Sequence, residues 1–521
     1  MKIERTKNAI RNSFSGVANR MVGLLIPFLL RTVLIKVLGE QYLGLSSLFS
    51  SILQVLNITE LGFSSAMVYS MYEPIAKNDT KTICAILQLY RKIYIYMGSF
   101  ILVVGICLTP FLGNFISGSI PKDINIVYLY YIFLFDTVIG YFLFAHKKSL
   151  LSALQRSDVY DNISTFLQIG LNIIKFCLLL LFKNYYLYVI FSPILTVCQQ
   201  LIINIYTNKK YPQYICKGKL DRSAISQITK RVSALAIQKI GNTISLSLDS
   251  VIISSFLGLT VLAIYSNYFY IISSLMSVLT ICITSMTAGI GNSIVCETKE
   301  KNYQDFLKVS MLNGWVVCVV ASCLLVLYQH FMKIWVGENL MFSLDIVILM
   351  VIYFVIGQTR QVILTYRDAA GVWHIDRLKP LVGCFVNLIL NITLVKVFGV
   401  KGVIISTIIS YIFIEIPWEN KTLFKVYFNM SMKTYYKKLI GYILITTVSA
   451  IISFGICSYL PDYWIIWFFA KGIITCLVSN SIFILVYHRT SEFKSLYELF
   501  KNIINKYTVN RCIEERNVSC D

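Results

Sequence analysis

Acidic residues are scarce in this chain, with 26 Asp and Glu against 47 Lys and Arg in 521 residues. Charge of either sign makes up only 14% of the sequence, well under the roughly 25% of a soluble domain. Hydrophobic residues reach 57%, which excludes an ordinary soluble globular protein and indicates a polytopic membrane protein. No phosphate-binding loop of the form G-x-x-x-x-G-K-[ST] occurs, so ATP hydrolysis within the chain is not expected. The 14 cysteines include no CxxC pair and none falls in a segment read as external, which argues against disulfides and structural zinc. The four histidines, His146, His330, His374 and His488, stand at the ends of apolar segments and match no metal spacing. Met1 to Arg11 is too polar for the core of a signal peptide, so no cleavable leader is expected. Long external loops are missing too. The longest, roughly Gly113–Lys122 and His330–Met341, leave no room for an external catalytic domain, so an enzyme is not expected.

What is present is a succession of about fourteen apolar segments, each long enough to cross a bilayer. The net charge of +21 invites a nucleic-acid reading, but the cations lie in alternate short loops. The basic stretches are the N-terminal arm, 72–93, 207–231, 419–438 and the C-terminal tail. Intervening loops hold few cations. The positive-inside rule therefore puts both termini in the cytoplasm, consistent with an even number of spans. The expected fold is all-α, with about 14 transmembrane helices.

The opening hairpin, Val17 to Met71, carries charge where lipid is expected. Its first arm, Val17–Val37, holds Arg31 well inside and Arg20 near its start, 11 residues apart and so on one helix face. An arginine at that depth costs at least a few kcal/mol and faces a bundle interior or a watery cavity. The arm breaks at Leu38-Gly39 and returns through Asn57, Glu60 and Gly62.

An internal repeat accompanies this pattern. Leu38-Gly39 recurs as Leu257-Gly258, 219 residues later, and the same offset relates Asn172 to Asn391 and Lys148 to Arg367. Two parallel six-helix lobes are expected, at 1–206 and 232–420, joined by a basic cytoplasmic linker at 207–231. Residues 421–490 form helices thirteen and fourteen outside the duplication. The tail, 491–521, places Phe493, Leu496, Tyr497 and Phe500 at helical spacing. It reads as a cytoplasmic amphipathic helix lying on anionic lipid, or packing on the protein itself.

Several stretches resemble the polysaccharide-transporter family of the multidrug/oligosaccharidyl-lipid/polysaccharide exporter superfamily. They are LGEQYLGLSSLF and ITELGF in the hairpin, LLSALQRSDVYDN before the fifth span, and NLILNITLVKVFGVKGVIISTIIS across the eleventh and twelfth. The resemblance covers nearly the whole chain. It implies a bacterial inner-membrane flippase for O-antigen, capsule or exopolysaccharide repeat units carried on a polyprenyl diphosphate. It further implies two six-helix lobes around an alternately opening cavity, ion-coupled antiport, and an accompanying polysaccharide polymerase and glycosyltransferases. A lipid II flippase and a multidrug and toxin extrusion antiporter belong to the same superfamily, but organic cations would favour acidic linings.

A diphosphate crossing a membrane needs cations that replace its water. Arginine suits this because its planar fork offers two parallel hydrogen bonds to phosphate oxygens. The candidates are Arg20, Arg31, Lys239 and Arg360, with Lys175 and Lys471 the other intramembrane cations. For Arg31 the alternative is an ion pair with Glu60 or Asp136. For the other three candidates it is snorkelling to the membrane surface. Glu60, Asp136 and Asp249 are the ion-coupling candidates, for H+ or Na+, unless each merely neutralises a cation.

Overall fold

In the computed structural model the described residues are 5–57, 63–372, 375–376, 378–461, 465–498 and 501. They are helical and contain no strand. The chain is an all-α, multi-pass membrane protein. Ten helical segments are long and apolar enough to cross a membrane, and an eleventh is a pair bent by 50°. The more polar α1 (Arg5–Val37), the pair α2 (Glu40–Leu56) and α3 (Phe63–Ala76), and α9 (Arg222–Leu257) bring the segments to about fourteen.

The remaining elements follow in order. They are α4 (Thr80–Leu108), α5 (Ile126–Phe142), α6 (Ala145–Ala153), α7 (Ser157–Phe182) and α8 (Tyr185–Lys210). After α9 come α10 (Leu259–Thr284), α11 (Thr287–Cys296), α12 (Lys299–Val336), α13 (Leu344–Thr359) and α14 (Gln361–Ala369). The chain continues through α15 (Lys379–Phe398), α16 (Val400–Ser410), α17 (Ile416–Lys421), α18 (Lys433–Ser458) and α19 (Ile465–Tyr487).

Several expected single spans are broken. The fourth becomes the bent pair α5 and α6, and the tenth breaks at Arg360 between α13 and α14. The twelfth runs past its expected end at Trp418 to Phe428, through π-helical turns at Tyr411–Glu415 and Thr422–Phe428. Pro417 explains the first of these. It has no N–H to give the carbonyl of Phe413 and crowds that carbonyl, so the helix widens just before it.

The chain packs as two compact units. Unit 1 is Met1–Tyr270 with Arg377–Ser406, and unit 2 is Ile271–Asp376 with Thr407–Asp521. In unit 1, α1 lies along α7, α15 along α9, and α8 against α5 and α7. Phe49 packs edge-on against Tyr130 and Phe133 in its core. Close approach is built in at Gly44, where a Cβ would stand 2.3 Å from the carbonyl oxygen of Leu259.

In unit 2, α12 is the central helix, packed against α13, α18 and α19. Its aromatic core gathers Phe306, Tyr366, Phe424, Phe428 and Tyr435. The first turns of the tail dock on this unit. Leu496 is buried with Met311, Cys318, Tyr442 and Phe483, and the Phe493 ring lies 5.7 Å from that of Trp315. The apolar face of the described tail therefore covers the protein's own helices. The rest of the tail lies outside the described residues.

Helix starts repeat at the 219-residue offset. α2 begins at Glu40 and α10 at Leu259, while α4 begins at Thr80 and α12 at Lys299. The caps match as well. The Asp79 side chain accepts from the N–H of Thr82, and Thr298 accepts from that of Lys301. The compact units follow packing, whereas the lobes 1–206 and 232–420 follow this duplication and stay a proposal.

Candidate functional site

Arg31 sits on α1 four residues beyond Pro27, where the missing N–H and the proline ring loosen the helical ladder. Tyr270 of α10 exploits this, donating its hydroxyl to the carbonyl of Leu24 at 2.5 Å. Leu24 and Arg31 are seven residues apart and share a face of α1. Ser266 and Tyr270, four apart, likewise share a face of α10. Arg31 lies between them. Its Nη1 donates to the Ser266 carbonyl at 3.2 Å and to Ser266 Oγ at 3.4 Å. Its guanidinium carbon lies 4.7 Å from the centre of the Tyr270 ring. Tyr188 of α8 is an electrostatic neighbour on another side. The side chain is half-buried, and among the described residues no carboxylate comes within ion-pair distance of it. A cation held at membrane depth by a carbonyl, a hydroxyl and an aromatic face keeps its full charge for an anionic ligand.

The other candidates fall in varied settings. Arg20 is exposed on α1. Lys239 lies on α9, with its side chain outside the described residues. Arg360 is buried in unit 2 and engaged by two acids. Its Nε and Nη2 grip Glu419 at 3.1 and 2.6 Å as a fork, Nη2 also meets Glu415, and its guanidinium carbon stands 4.2 Å from the centre of the Tyr411 ring. Tyr411, Glu415 and Glu419 are spaced by four and present one face of their helix to Arg360. In this state Arg360 is a structural ion-pair centre.

Of the acids, Glu60 lies outside the described residues. Asp136 on α5 accepts from Thr196 at 2.7 Å and forms no ion pair with Arg31. Asp249 on α9 is buried and accepts from Asn391 Nδ2 on α15 at 2.7 Å. The same amide nitrogen reaches Asn387 Oδ1 at 3.1 Å, while Asn391 Oδ1 has no hydrogen-bond partner among the described residues. Oxygen atoms of Asp249, Asn387 and Asn391 thus gather around one buried point, and one of them is unsatisfied.

Sequence reasoning missed Ser266, Tyr270, Tyr188 and Asn387. The first three are a serine and two tyrosines among many in apolar segments, without a spacing that marks them. Asn391 was visible only as a repeat marker. Its pairing with Asp249 joins residues 142 apart, which no local pattern shows.

No protein-family model and no curated protein sequence matches the chain. Among solved structures it is similar to the lipid II flippase MurJ in an inward closed conformation. The TM-score is 0.63 at 16% identity, over 92% of this chain and 100% of that one. It is also similar to an inward-facing multidrug resistance MATE family transporter of the MOP superfamily, with a TM-score of 0.55 at 13% identity over 75% and 92% of the two chains. A mutant of the Vibrio cholerae MATE transporter VcmN gives 0.51 at 14% identity, over 82% and 98%. The chain shares their fold. That likeness reaches the superfamily's architecture and leaves the polysaccharide branch as a matter of function.

Proposed function

We propose that this protein is a flippase, not an enzyme. It moves polyprenyl-diphosphate-linked oligosaccharide repeat units from the cytoplasmic to the outer leaflet of the bacterial cytoplasmic membrane, by alternating access, for surface polysaccharide synthesis. One observation carries this reading: Arg31 is a half-buried guanidinium at membrane depth with no described carboxylate against it. Its planar fork suits phosphate oxygens, and burial strengthens the attraction. The likeness to MurJ, whose name assigns it a lipid-linked cargo, supports a lipid substrate. It also favours a second reading, that the cargo is lipid II. The MATE likeness supports the alternating-access scheme, but an unpaired guanidinium repels organic cations.

Ion coupling is assigned to Asp249 with Asn387 and Asn391, because the free Asn391 oxygen and the carboxylate suit a proton or a sodium ion. Asp136 stays a secondary candidate. Arg20 and Lys239 are assigned to cargo approach at the cytoplasmic side, where both termini lie. Arg360 joins the cargo site only in a state that releases Glu415 and Glu419. A polysaccharide polymerase and glycosyltransferases are the partners this function requires.

The test is translocation by the purified full chain in proteoliposomes. Three labelled cargoes are compared: a polyprenyl-diphosphate oligosaccharide, lipid II and an organic cation. Faster movement of the first supports the proposal. Movement of lipid II alone replaces the cargo, and export of the organic cation alone overturns the flippase reading.

A further inference from the structure

Lys175 of α7 is a buried cation in unit 1 that the Arg31 reading leaves unused. Its side chain is about as enclosed as any ionisable group in the unit, with 7% of the residue exposed. Nζ donates to Ser192 Oγ at 2.7 Å and stands 5.1 Å from the centre of the Tyr188 ring. Among the described residues no carboxylate comes within ion-pair distance. The acid that acts on it, Asp136, is bonded instead to Thr196, one turn along α8 from Ser192. An ammonium has three N–H donors and no acceptor. Ser192 takes one donor and the ring face offsets part of the charge, which leaves donor capacity in a low-dielectric setting.

Tyr188 joins this group to Arg31. The Lys175 ammonium lies on its ring, and Arg31 is its electrostatic neighbour. Tyr188 is itself stacked on Tyr185, with ring centres 6.1 Å apart, and Tyr185 is anchored to the Tyr42 carbonyl at 3.0 Å. The ring is thus a fixed partition between two cations. Both cations sit at one level. Arg31 is six residues from the end of α1, Lys175 seven from the end of α7, and Ser192 and Ser266 seven from the starts of α8 and α10. At a rise of 1.5 Å per residue, each is about 10 Å from its helix end. Neither cation is neutralised by a described acid, and like charges held this close are costly without an anion between them.

Building on the diphosphate reading of Arg31, we propose that Lys175 is a second anion-binding residue. Arg31 and Lys175 form a two-point site that takes the two phosphoryl groups of a diphosphate. A monophosphate reaches only one of the two cations at a time. Lys175 therefore makes the site selective for diphosphate-linked over monophosphate-linked lipids.

The test uses the purified full chain in detergent, with farnesyl diphosphate and farnesyl monophosphate as probes and affinity read from ligand-dependent thermal shifts. Wild type is expected to bind the diphosphate about tenfold or more tighter, the scale of one charge-assisted hydrogen bond. Lys175→Met should lose that preference while keeping its monophosphate affinity, and Lys175→Arg should restore it. A Lys175→Met protein with the wild-type preference, or a Lys175→Arg protein without it, overturns the proposal. If Lys175→Met does not fold, amine-reactive labelling of wild type decides. Protection of Lys175 by the diphosphate but not the monophosphate supports the site, and equal labelling overturns it. Wild type that binds neither probe defeats the diphosphate reading as a whole. Arg31-dependent diphosphate binding that ignores Lys175 defeats this inference alone.

Discussion

Gly39 and Gly258, 219 residues apart, hold the same uncommon backbone conformation, φ 111° and ψ 170° in the first, φ 90° and ψ 175° in the second. Each ends a long helix that carries the unit's intramembrane cations, α1 or α9, and each is followed at once by another helix. A side chain with a Cβ is excluded from this region of φ and ψ, so a Leu-Gly pair is the sequence signature of the break. Two independent breaks would have no reason to agree in both angles. With the matching caps at Asp79 and Thr298, the agreement reads as one duplicated design.

The two glycines should respond unequally to alanine. At Gly39 the space is open, so Gly39→Ala meets only backbone strain, about 1–3 kcal/mol. At Gly258 a Cβ would also stand 2.8 Å from the carbonyl oxygen of Ser117, so Gly258→Ala should cost more. Thermal unfolding of the two variants in detergent checks the order.

Arg360 is expected to matter for folding before it matters for transport. Arg360→Met leaves Glu415 and Glu419 buried without their cation, which should cost about 3–5 kcal/mol. Glu415→Gln keeps the fork to Glu419 and should be much milder. Folded yield and thermal midpoint separate the two, and equal losses would argue against the ion-pair role.

Asp249→Asn removes the charge beside Asn391 while keeping the side chain's size. The variant should fold, bind cargo, and lose any dependence of transport on a sodium or proton gradient. Transport rates measured with each gradient imposed in turn are the check. Retained gradient dependence moves the coupling elsewhere, with Asp136 next in line.

The docked tail should loosen in acid. Burial raises the Glu492 carboxyl, but hydrogen bonding and charge from Lys438, 2.6 Å away, outweigh it and leave the group below its ordinary value. A carboxylate lowered in the folded state contributes stability above its ordinary pKa, and that contribution is lost as pH falls through the lowered value. Hydrogen exchange at 491–498, corrected for intrinsic rates, should therefore rise in that acid window. In Lys438→Met the rise should come at higher pH.

The fold was largely legible in the sequence because lipid imposes a coarse rule: long apolar runs, with cations gathered in alternate loops. Arg31 stood out for the same reason, as a charge where apolar residues are expected. The helix breaks at Arg360 and near Pro417 were less legible, since hydropathy runs continuously through them. The partners of the charges were not legible. Glu419 was passed over as a loop residue because the apolar stretch appeared to end at Trp418, although the widened helix carries it inward to Arg360. Ser266 reaches Arg31 across 235 residues of sequence, a contact fixed only by helix packing.

The most direct test of the central claim is translocation of a fluorescent polyprenyl-diphosphate oligosaccharide in proteoliposomes, comparing wild type with Arg31→Ala and Arg31→Lys. The account predicts transport by wild type, its loss in Arg31→Ala, and partial activity at best in Arg31→Lys, which keeps the charge without the planar fork. Full transport by a folded Arg31→Ala protein would contradict it.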